Sequence, residues 1–299
     1  MRLAFLGTPD AAVPPLEALV RAGHDVDVVI TRADKKRGRG SALSFSPVKA
    51  AAVGLGLEVA HDPDAILDRH LDLGVVVAFG RIIKPHVLAH VPMVNVHFSL
   101  LPRWRGAAPV ERAILAGDTE TGVCLMEVAE GLDEGGVYAV QRVTIGEDET
   151  ADELRARLVG IGTTLLVERL RDGLGRPTPQ HGEPTYAAKI ETADRRIDWS
   201  QPAEVVLCHV RIGRAWTTIR GQRLLVHRAH RGGPLAAAPG TIVRDDVDVQ
   251  VACGAGSSVA LMEVQPEGKA RMGAVGWLNG ARRYAAEERL GSSSLPDER

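Results

Sequence analysis

Cysteine is scarce in this chain. Its 299 residues hold three, Cys124, Cys208 and Cys253, widely spaced and without a C-x-x-C pair. That spacing argues against a disulfide framework and a cysteine-built zinc site, and it fits a reducing compartment. Long apolar runs are missing too: no stretch reaches the roughly eighteen residues that a membrane-spanning helix needs. The first apolar run ends at Gly7 and is followed by Asp10 and Glu17, so no secretory signal is expected. Phosphate-cradling patterns are also absent. There is no G-x-x-x-x-G-K-[ST], and no G-x-G-x-x-G follows the first apolar run, so nucleotide and dinucleotide readings fail. No internal repeat is present. A cytoplasmic protein with no membrane segment is expected.

The length suits one large or two ordinary domains. An apolar content of 45% is ample for real cores. A net charge of −2 does not by itself suggest a nucleic-acid partner, but its distribution does. Residues 205–235 carry six arginines (211, 214, 220, 223, 228 and 231) and no acid. Residues 31–49 carry Arg32, Lys35, Lys36, Arg37, Arg39 and Lys49 against Asp34. These windows hold +6 and +5, which leaves −13 for the remainder. Basic charge gathered in two places is the footprint expected for a polyanion such as RNA. Either window alone would signify only a solvated face, since exposed Lys and Arg are common.

Hydrophobic spacing sets out the elements. Residues 3–6 read as a buried first strand closed by Gly7-Thr8-Pro9-Asp10. Asp10 is placed to cap a helix through residues 16–20, which Gly23 can end. Strands are expected at 26–30, 57–60, 74–79 and 94–97, and a helix at 47–53. The loop 31–45 is polar, basic and longer than most strand–helix connections, which suggests a functional loop. Such alternation indicates a parallel sheet covered on both faces. A helix at 110–115 and strands at 122–128 and 137–143 follow. An amphipathic helix at 150–170 is built on Leu154, Leu158, Ile161, Leu165 and Leu166, and the Pro- and Gly-rich stretch 173–179 ends it. Beyond about residue 197 the pattern turns to short β-like runs at 216–219, 223–226, 240–243, 247–252 and 259–264. Short helices at 203–210 and 274–279 flank them, which together suggest a small β-barrel. The expected division is an α/β domain over 1–190, a linker over 191–205, a β domain over 206–290 and a disordered tail over 291–299.

The segment 94–106, Val-Asn-Val-His-Phe-Ser-Leu-Leu-Pro-Arg-Trp-Arg-Gly, holds the chemistry. Residues i and i+2 of a strand share a face, so Asn95 and His97 project together. They sit at the carboxyl end of a strand, where sites in parallel sheets lie. An Asn amide can donate to a developing oxyanion, and a histidine can handle a proton near neutral pH. A carboxylate follows in Glu130-Gly131-Leu132-Asp133-Glu134-Gly135-Gly136, where Glu130, Asp133 and Glu134 compete for the role. Each residue also has an ordinary reading: a strand-end Asn, a satisfied His, an acidic turn. Spacing alone leaves both readings open.

Asn-x-His at 95–97, Ser-Leu-Leu-Pro at 99–102 and Gly-Leu-Asp at 131–133 together resemble the formyltransferases that use 10-formyltetrahydrofolate. The chain is most similar to the branch of that family acting on methionyl-tRNA. The matching pieces are Phe5-Leu6-Gly7-Thr8-Pro9-Asp10, Arg37-Gly38-Arg39-Gly40 with Ser46-Pro47-Val48-Lys49, the run from Asn95 to Gly122, and Arg196-Ile197-Asp198-Trp199. They span nearly the full length. The resemblance implies an α/β, Rossmann-like parallel-sheet formyltransferase domain followed by a small OB-like β-barrel domain. It implies transfer of formyl from 10-formyltetrahydrofolate to the α-amino group of methionyl initiator tRNA, without a metal. A monomer is expected. Asp133 is the carboxylate that the resemblance selects. Asn95 would stabilise the oxyanion, His97 would move protons and polarise the formyl oxygen, and Asp133 would hold His97.

The resemblance further places Phe79, Ser99, Leu100, Leu101 and Pro102 against the folate. It places Lys35, Lys36, Arg37 and Arg39 at the acceptor end of the tRNA. The basic window of the second domain offers Arg211, Arg214, Arg220 and Arg223 as further tRNA contacts. Three departures stand out. Gly136 occupies a position where another Asp is frequent, and Phe98 one where a smaller residue is frequent. Arg211-Ile212-Gly213-Arg214-Ala215-Trp216 replaces an N-P-W-P-like segment. The competing readings are a formyltransferase for a small amine and a catalytically inert folate- or tRNA-binding protein. The basic loop and second domain oppose the first, and the intact trio opposes the second.

Overall fold

The computed structural model describes residues 1–36, 43–244, 248–280 and 289–291. The chain divides into two compact units. Met1–Val110, Glu120–Thr144 and Glu153–Lys189 form the first; Glu111–Thr119, Ile145–Asp152 and Ile190–Arg299 form the second.

The chain begins with β1 (Arg2–Gly7), α1 (Val13–Arg21) and β2 (Asp25–Ile30). The short pair β3 (Lys35–Lys36) and β4 (Leu43–Ser44) follows, then α2 (Pro47–Gly54), β5 (Val59–Ala60), β6 (Leu73–Val77), α3 (Pro85–His90) and β7 (Met93–His97). Next come β8 (Arg105–Gly106), α4 (Pro109–Leu115), β9 (Glu120–Glu127), β10 (Val137–Thr144), α5 (Ala151–Asp172) and β11 (Tyr186–Ala187). Seven strands share one sheet in the order β10-β9-β7-β6-β1-β2-β5. From β5 to β7 all neighbours are parallel. β9 runs antiparallel to β7, and β10 antiparallel to β9. The sheet is therefore mixed at one side, because the short loop 128–136 between β9 and β10 returns the chain directly, whereas parallel neighbours need a long crossover. Leu3, Ala4, Phe5 and Leu6 are buried in succession, as are all residues of β6, so both faces of these strands are covered.

Asp10 does not cap α1. It opens a single 3₁₀ turn, Asp10–Ala12, and neither that turn nor α1 has a side-chain cap. Pro14 and Pro15 occupy the first turn of α1, and a proline there brings no N–H that needs a partner.

The second unit contains α6 (Ala203–Arg211), β12 (Ala215–Ile219), β13 (Gln222–Arg231), β14 (Ile242–Arg244), β15 (Val249–Ala252), β16 (Ser258–Pro266), β17 (Met272–Gly273) and α7 (Ala274–Gly280). Its antiparallel sheet runs β12-β13-β16-β15-β14, with β17 also on β16. No ladder joins β12 to β14 among the described residues. Val206, Leu224, Val226, Val251, Val259 and Trp277 are among its buried core. Arg220 and Gly221 link β12 to β13 with φ values of 50° and 72°, the doubly left-handed turn whose twist suits a tight hairpin.

Candidate active site

β6 and β7 are parallel neighbours, so their carboxyl ends lie at one edge of the sheet. After β6 the backbone turns sharply, with Ala78 at φ 46° and Gly80 at φ 72°. A cavity of about 660 Å³ opens there. Phe79, Ile83, Met126 and Val128 give it apolar walls, and Asn95, His97 and Asp133 line it as well. Strand alternation accounts for Asn95 and His97: Asn95 stands beside Val76 on β6, and His97 beside Cys124 on β9. Burial pushes the Cys124 thiol up to about 11, so this neighbour stays protonated and is no nucleophile near neutral pH.

The three side chains meet. His97 is buried, 5% exposed, and its Nε2 lies 2.9 Å from the carbonyl oxygen of Trp104. A carbonyl only accepts, so Nε2 carries the proton and donates it. That leaves Nδ1 as the nitrogen free to gain or lose a proton. Nδ1 lies 3.6 Å from Asp133 Oδ2, beyond hydrogen-bond length, and the two form an ion pair only when the imidazole is protonated. The same oxygen accepts the backbone N–H of Gly106 at 2.8 Å, while Oδ1 faces Asn95 Nδ2 at 3.5 Å. The Asp133 carboxylate therefore spans the amide and the imidazole. The sequence foretells neither Trp104 O nor the Gly106 N–H, because backbone groups leave no signature in residue types. Glu130 lines the cavity without joining the trio, and Glu134 pairs with Arg105 at 3.2 Å.

Two family descriptions match the chain: formyl transferase over residues 1–170, and formyl transferase, C-terminal domain, over residues 189–282. The chain belongs to the formyl transferase family. The methionyl-tRNA formyltransferase of Heliobacterium modesticaldum is 44% identical over 94% of this chain and 98% of its own length. The methionyl-tRNA formyltransferase of Methylococcus capsulatus is 41% identical over 98% of this chain and 100% of its own length. Among solved structures, the N-formyltransferase of Helicobacter canadensis superposes with a TM-score of 0.69 at 17% identity, covering 88% of this chain and 98% of that one. HypX of Aquifex aeolicus gives 0.64 at 20% identity, covering 93% of this chain and 47% of its own. At such identities the likeness is one of fold.

The other expected residues of this formyl transferase fall into distinct places. Phe79 lines the cavity; Ser99, Leu100, Leu101 and Pro102 lie outside its lining, in the turn after β7. Ser99 is fully buried and its hydroxyl donates to Arg103 O at 2.6 Å, so it shapes the turn that carries Trp104. Phe98 is buried against the cavity; Gly162 on α5 makes room for its neighbour Val96, which a Cβ there would meet at 2.7 Å. Gly136 is equally constrained, since a Cβ would meet Pro177 at 2.8 Å. Lys35 and Lys36 form β3, and Arg37 and Arg39 lie outside the described residues. Arg214 and Arg220 are exposed. Arg211 instead holds the carbonyls of Gly146 and Glu149, both at 2.9 Å, and Arg223 stacks 4.4 Å over the ring of Trp216. Among the described residues no group of three or more His, Cys, Asp and Glu is placed to hold a metal ion.

Proposed function

We propose that this formyl transferase moves the formyl group of 10-formyltetrahydrofolate to the α-amino group of methionyl initiator tRNA, giving N-formylmethionyl-tRNA, and works as a cytoplasmic monomer. The observation that carries the reading is a convergence. Asn95, His97 and Asp133 meet at one cavity in a chain that is 44% identical to a relative named for this reaction. A flat folate ring needs an apolar slot with few polar groups, and the walls from Phe79, Ile83, Met126 and Val128 fit that demand. The Helicobacter canadensis enzyme was solved with folinic acid and HypX with tetrahydrofolic acid, so this fold accommodates folates.

When bound, the donor supplies a formyl carbon open to attack by an amine. Asn95 Nδ2 donates to the formyl oxygen as negative charge develops on it. An α-amino group arrives largely as ammonium and must lose a proton to attack. The Asp133–His97 pair takes that proton, through Nδ1 of His97 because Nε2 is committed to Trp104 O. Asp133 keeps the positive charge gained by the imidazole compensated; the attacking amine loses its second proton to solvent, and the proton held by His97 passes to N10 of the folate as the formyl C–N10 bond breaks and tetrahydrofolate leaves. In this reading residues 1–190 are the catalytic domain, with Phe79 against the donor and Ser99, Leu100, Leu101 and Pro102 forming the turn that carries Trp104. Residues 206–290 are an OB-like tRNA-holding domain joined by 191–205. Lys35, Lys36, Arg37 and Arg39 approach the acceptor end, and Arg214 and Arg220 follow the phosphates.

The test is transfer of labelled formyl to methionyl initiator tRNA, with a dTDP-amino sugar as the rival acceptor. Label on the tRNA and none on the sugar supports the reading; the reverse overturns it. Arg39→Ala supplies a second arm. It is expected to lower tRNA formylation sharply and to leave slow hydrolysis of the donor by water unchanged, because the trio is untouched.

A further inference from the structure

Residues 171–188 lie between the two stretches of family similarity. The first two close α5, and the rest follow it as a polar run rich in Pro and Gly. Within them, residues 178–187 touch both the loop that carries Asp133 and the segment 104–108. Thr178 exchanges backbone hydrogen bonds with Val137, at 2.8 and 2.9 Å. Gln180 Nε2 donates to the carbonyls of Asp133 and Gly135, both at 2.8 Å. Its Oε1 accepts from Arg105 Nη2 at 2.8 Å and Nε at 3.1 Å. Carbonyls only accept and guanidinium N–H groups only donate, so these partners determine which way the amide faces. Two donors and two acceptor positions are all used. Further along, Thr185 Oγ1 accepts the N–H of Trp104 at 2.9 Å, and Thr185 O accepts the N–H of Arg105 at 2.9 Å.

The two residues held in this way have unusual backbones. Trp104 has φ 64° and Asp133 has φ 51°. Side chains other than glycine keep such a conformation only where their surroundings impose it. At Trp104 it accompanies the carbonyl aimed at His97 Nε2; at Asp133, the carboxylate beside His97 Nδ1. Both partners of the imidazole thus rest on left-handed residues pinned by one segment.

We propose that Gln180 and Thr185 are positioning residues for formyl transfer: Thr185 holds the Trp104 carbonyl on His97, and Gln180 holds the Asp133 loop. The proposal rests on the formyl-transfer reading above. Neither residue touches the reacting atoms, so their removal acts on kcat through His97 and Asp133.

Gln180→Glu keeps an acceptor for Arg105 but can donate to neither carbonyl. It is expected to lower kcat roughly 10- to 100-fold, with KM for the donor held within about threefold. Thr185→Val removes the acceptor while keeping the shape, and lowers kcat over the same range. Thr185→Ser, which keeps an acceptor oxygen, restores kcat to within about threefold of the wild type. The His97 Nε2–H proton gives a second readout by NMR, assigned through its loss in His97→Asn. It is expected to shift or exchange away in Thr185→Val, to persist in Thr185→Ser and to be unaffected in Gln180→Glu.

Wild-type kcat in folded Gln180→Glu and Thr185→Val overturns the proposal. So does a loss confined to thermal stability with an unmoved His97 proton. If Gln180→Glu does not fold, Gln180→Asn decides that half: its shorter amide cannot reach both carbonyls and Arg105 together, and a wild-type kcat in it overturns the role of Gln180. If the wild type does not formylate methionyl-tRNA, the functional reading fails, and the His97 proton in the Thr185 variants still decides whether this segment sets the imidazole.

Discussion

Replacing Gly106 by Ala tests the geometry of the site at one atom. Gly106 has φ 118°, and a Cβ there would lie 2.9 Å from Ala187 O and 3.4 Å from Ala187 C. The neighbouring strand cannot yield freely. Ala187 O already accepts the N–H groups of Ala107 at 2.9 Å and Ala108 at 3.2 Å, and Thr185 O accepts that of Arg105 at 2.9 Å. A residue other than glycine at such φ costs about 1–3 kcal/mol. Opening one or two of these hydrogen bonds adds about 0.5–1.5 kcal/mol each. A total of about 1.5–6 kcal/mol corresponds to a fall in Tm of roughly 3–24 °C for a unit of this size. The same N–H donates to Asp133 Oδ2 at 2.8 Å, so displacing it moves the carboxylate off His97. The kcat for methionyl-tRNA formylation is therefore expected to fall roughly tenfold or more at temperatures where the variant is fully folded. Thermal denaturation by circular dichroism and initial-rate formylation on the same preparation are the assays. A Tm within about 2 °C of the wild type together with unchanged kcat would refute the reasoning.

Three other outcomes are expected. His97→Ala and Asp133→Asn each lose roughly 100-fold or more in kcat with little change in donor binding, since both act on charge that appears during transfer; near-normal turnover without His97 would remove it from the chemistry. Arg214→Ala with Arg220→Ala weakens tRNA binding and flattens its dependence on salt, the slope falling by about one for each phosphate no longer neutralised. Arg223→Ala instead lowers stability by about 0.5–1 kcal/mol, because its guanidinium lies over Trp216. Burial raises the thiols of Cys124 and Cys253 from 9.0 to about 11. A raised folded value means that their contribution is fully present below about pH 9 and is lost as the pH rises through about 11, on the order of 2–3 kcal/mol each. Denaturant melts between pH 8 and 11 measure that loss, and rapid alkylation of native thiols at pH 8 would contradict it.

The candidate trio is legible because it is written in residue types at local spacing. Asn95 and His97 alternate on one strand, and resemblance supplies the Gly-Leu-Asp loop. The continuous apolar strands at 3–6 and 74–77, and the helix after residue 150, are readable for a similar reason: burial on both faces, or one helical stripe, leaves a periodic pattern. What escapes depends on partners distant in sequence or on backbone groups. Gln180 sits in a run without periodicity, 47 residues beyond the carbonyl it holds. The Trp104 carbonyl reaches His97 only because Trp104 is left-handed, which nothing about a tryptophan announces. The cap expected at Asp10 fails because a polar residue before a helix counts for less when Pro14 and Pro15 fill its first turn. Arg211 and Arg223 resemble free surface charge in the sequence. One is bound to carbonyls and the other lies on an indole, and composition cannot tell a basic side chain directed at solvent from one that is already engaged.

The position of residues 178–187 along the chain has a consequence for the protein as it is made. Synthesis proceeds from the amino end, and domains begin to fold as they emerge. By the time residue 170 has left the ribosome, Asn95, His97 and Asp133 are all present, yet the donors and acceptors that hold Trp104 and the Asp133 loop are not. The nascent chain thus carries the candidate reacting groups before it holds the residues proposed to aim them. Competence for formyl transfer is then expected only once Thr185 and Ala187 have cleared the exit tunnel.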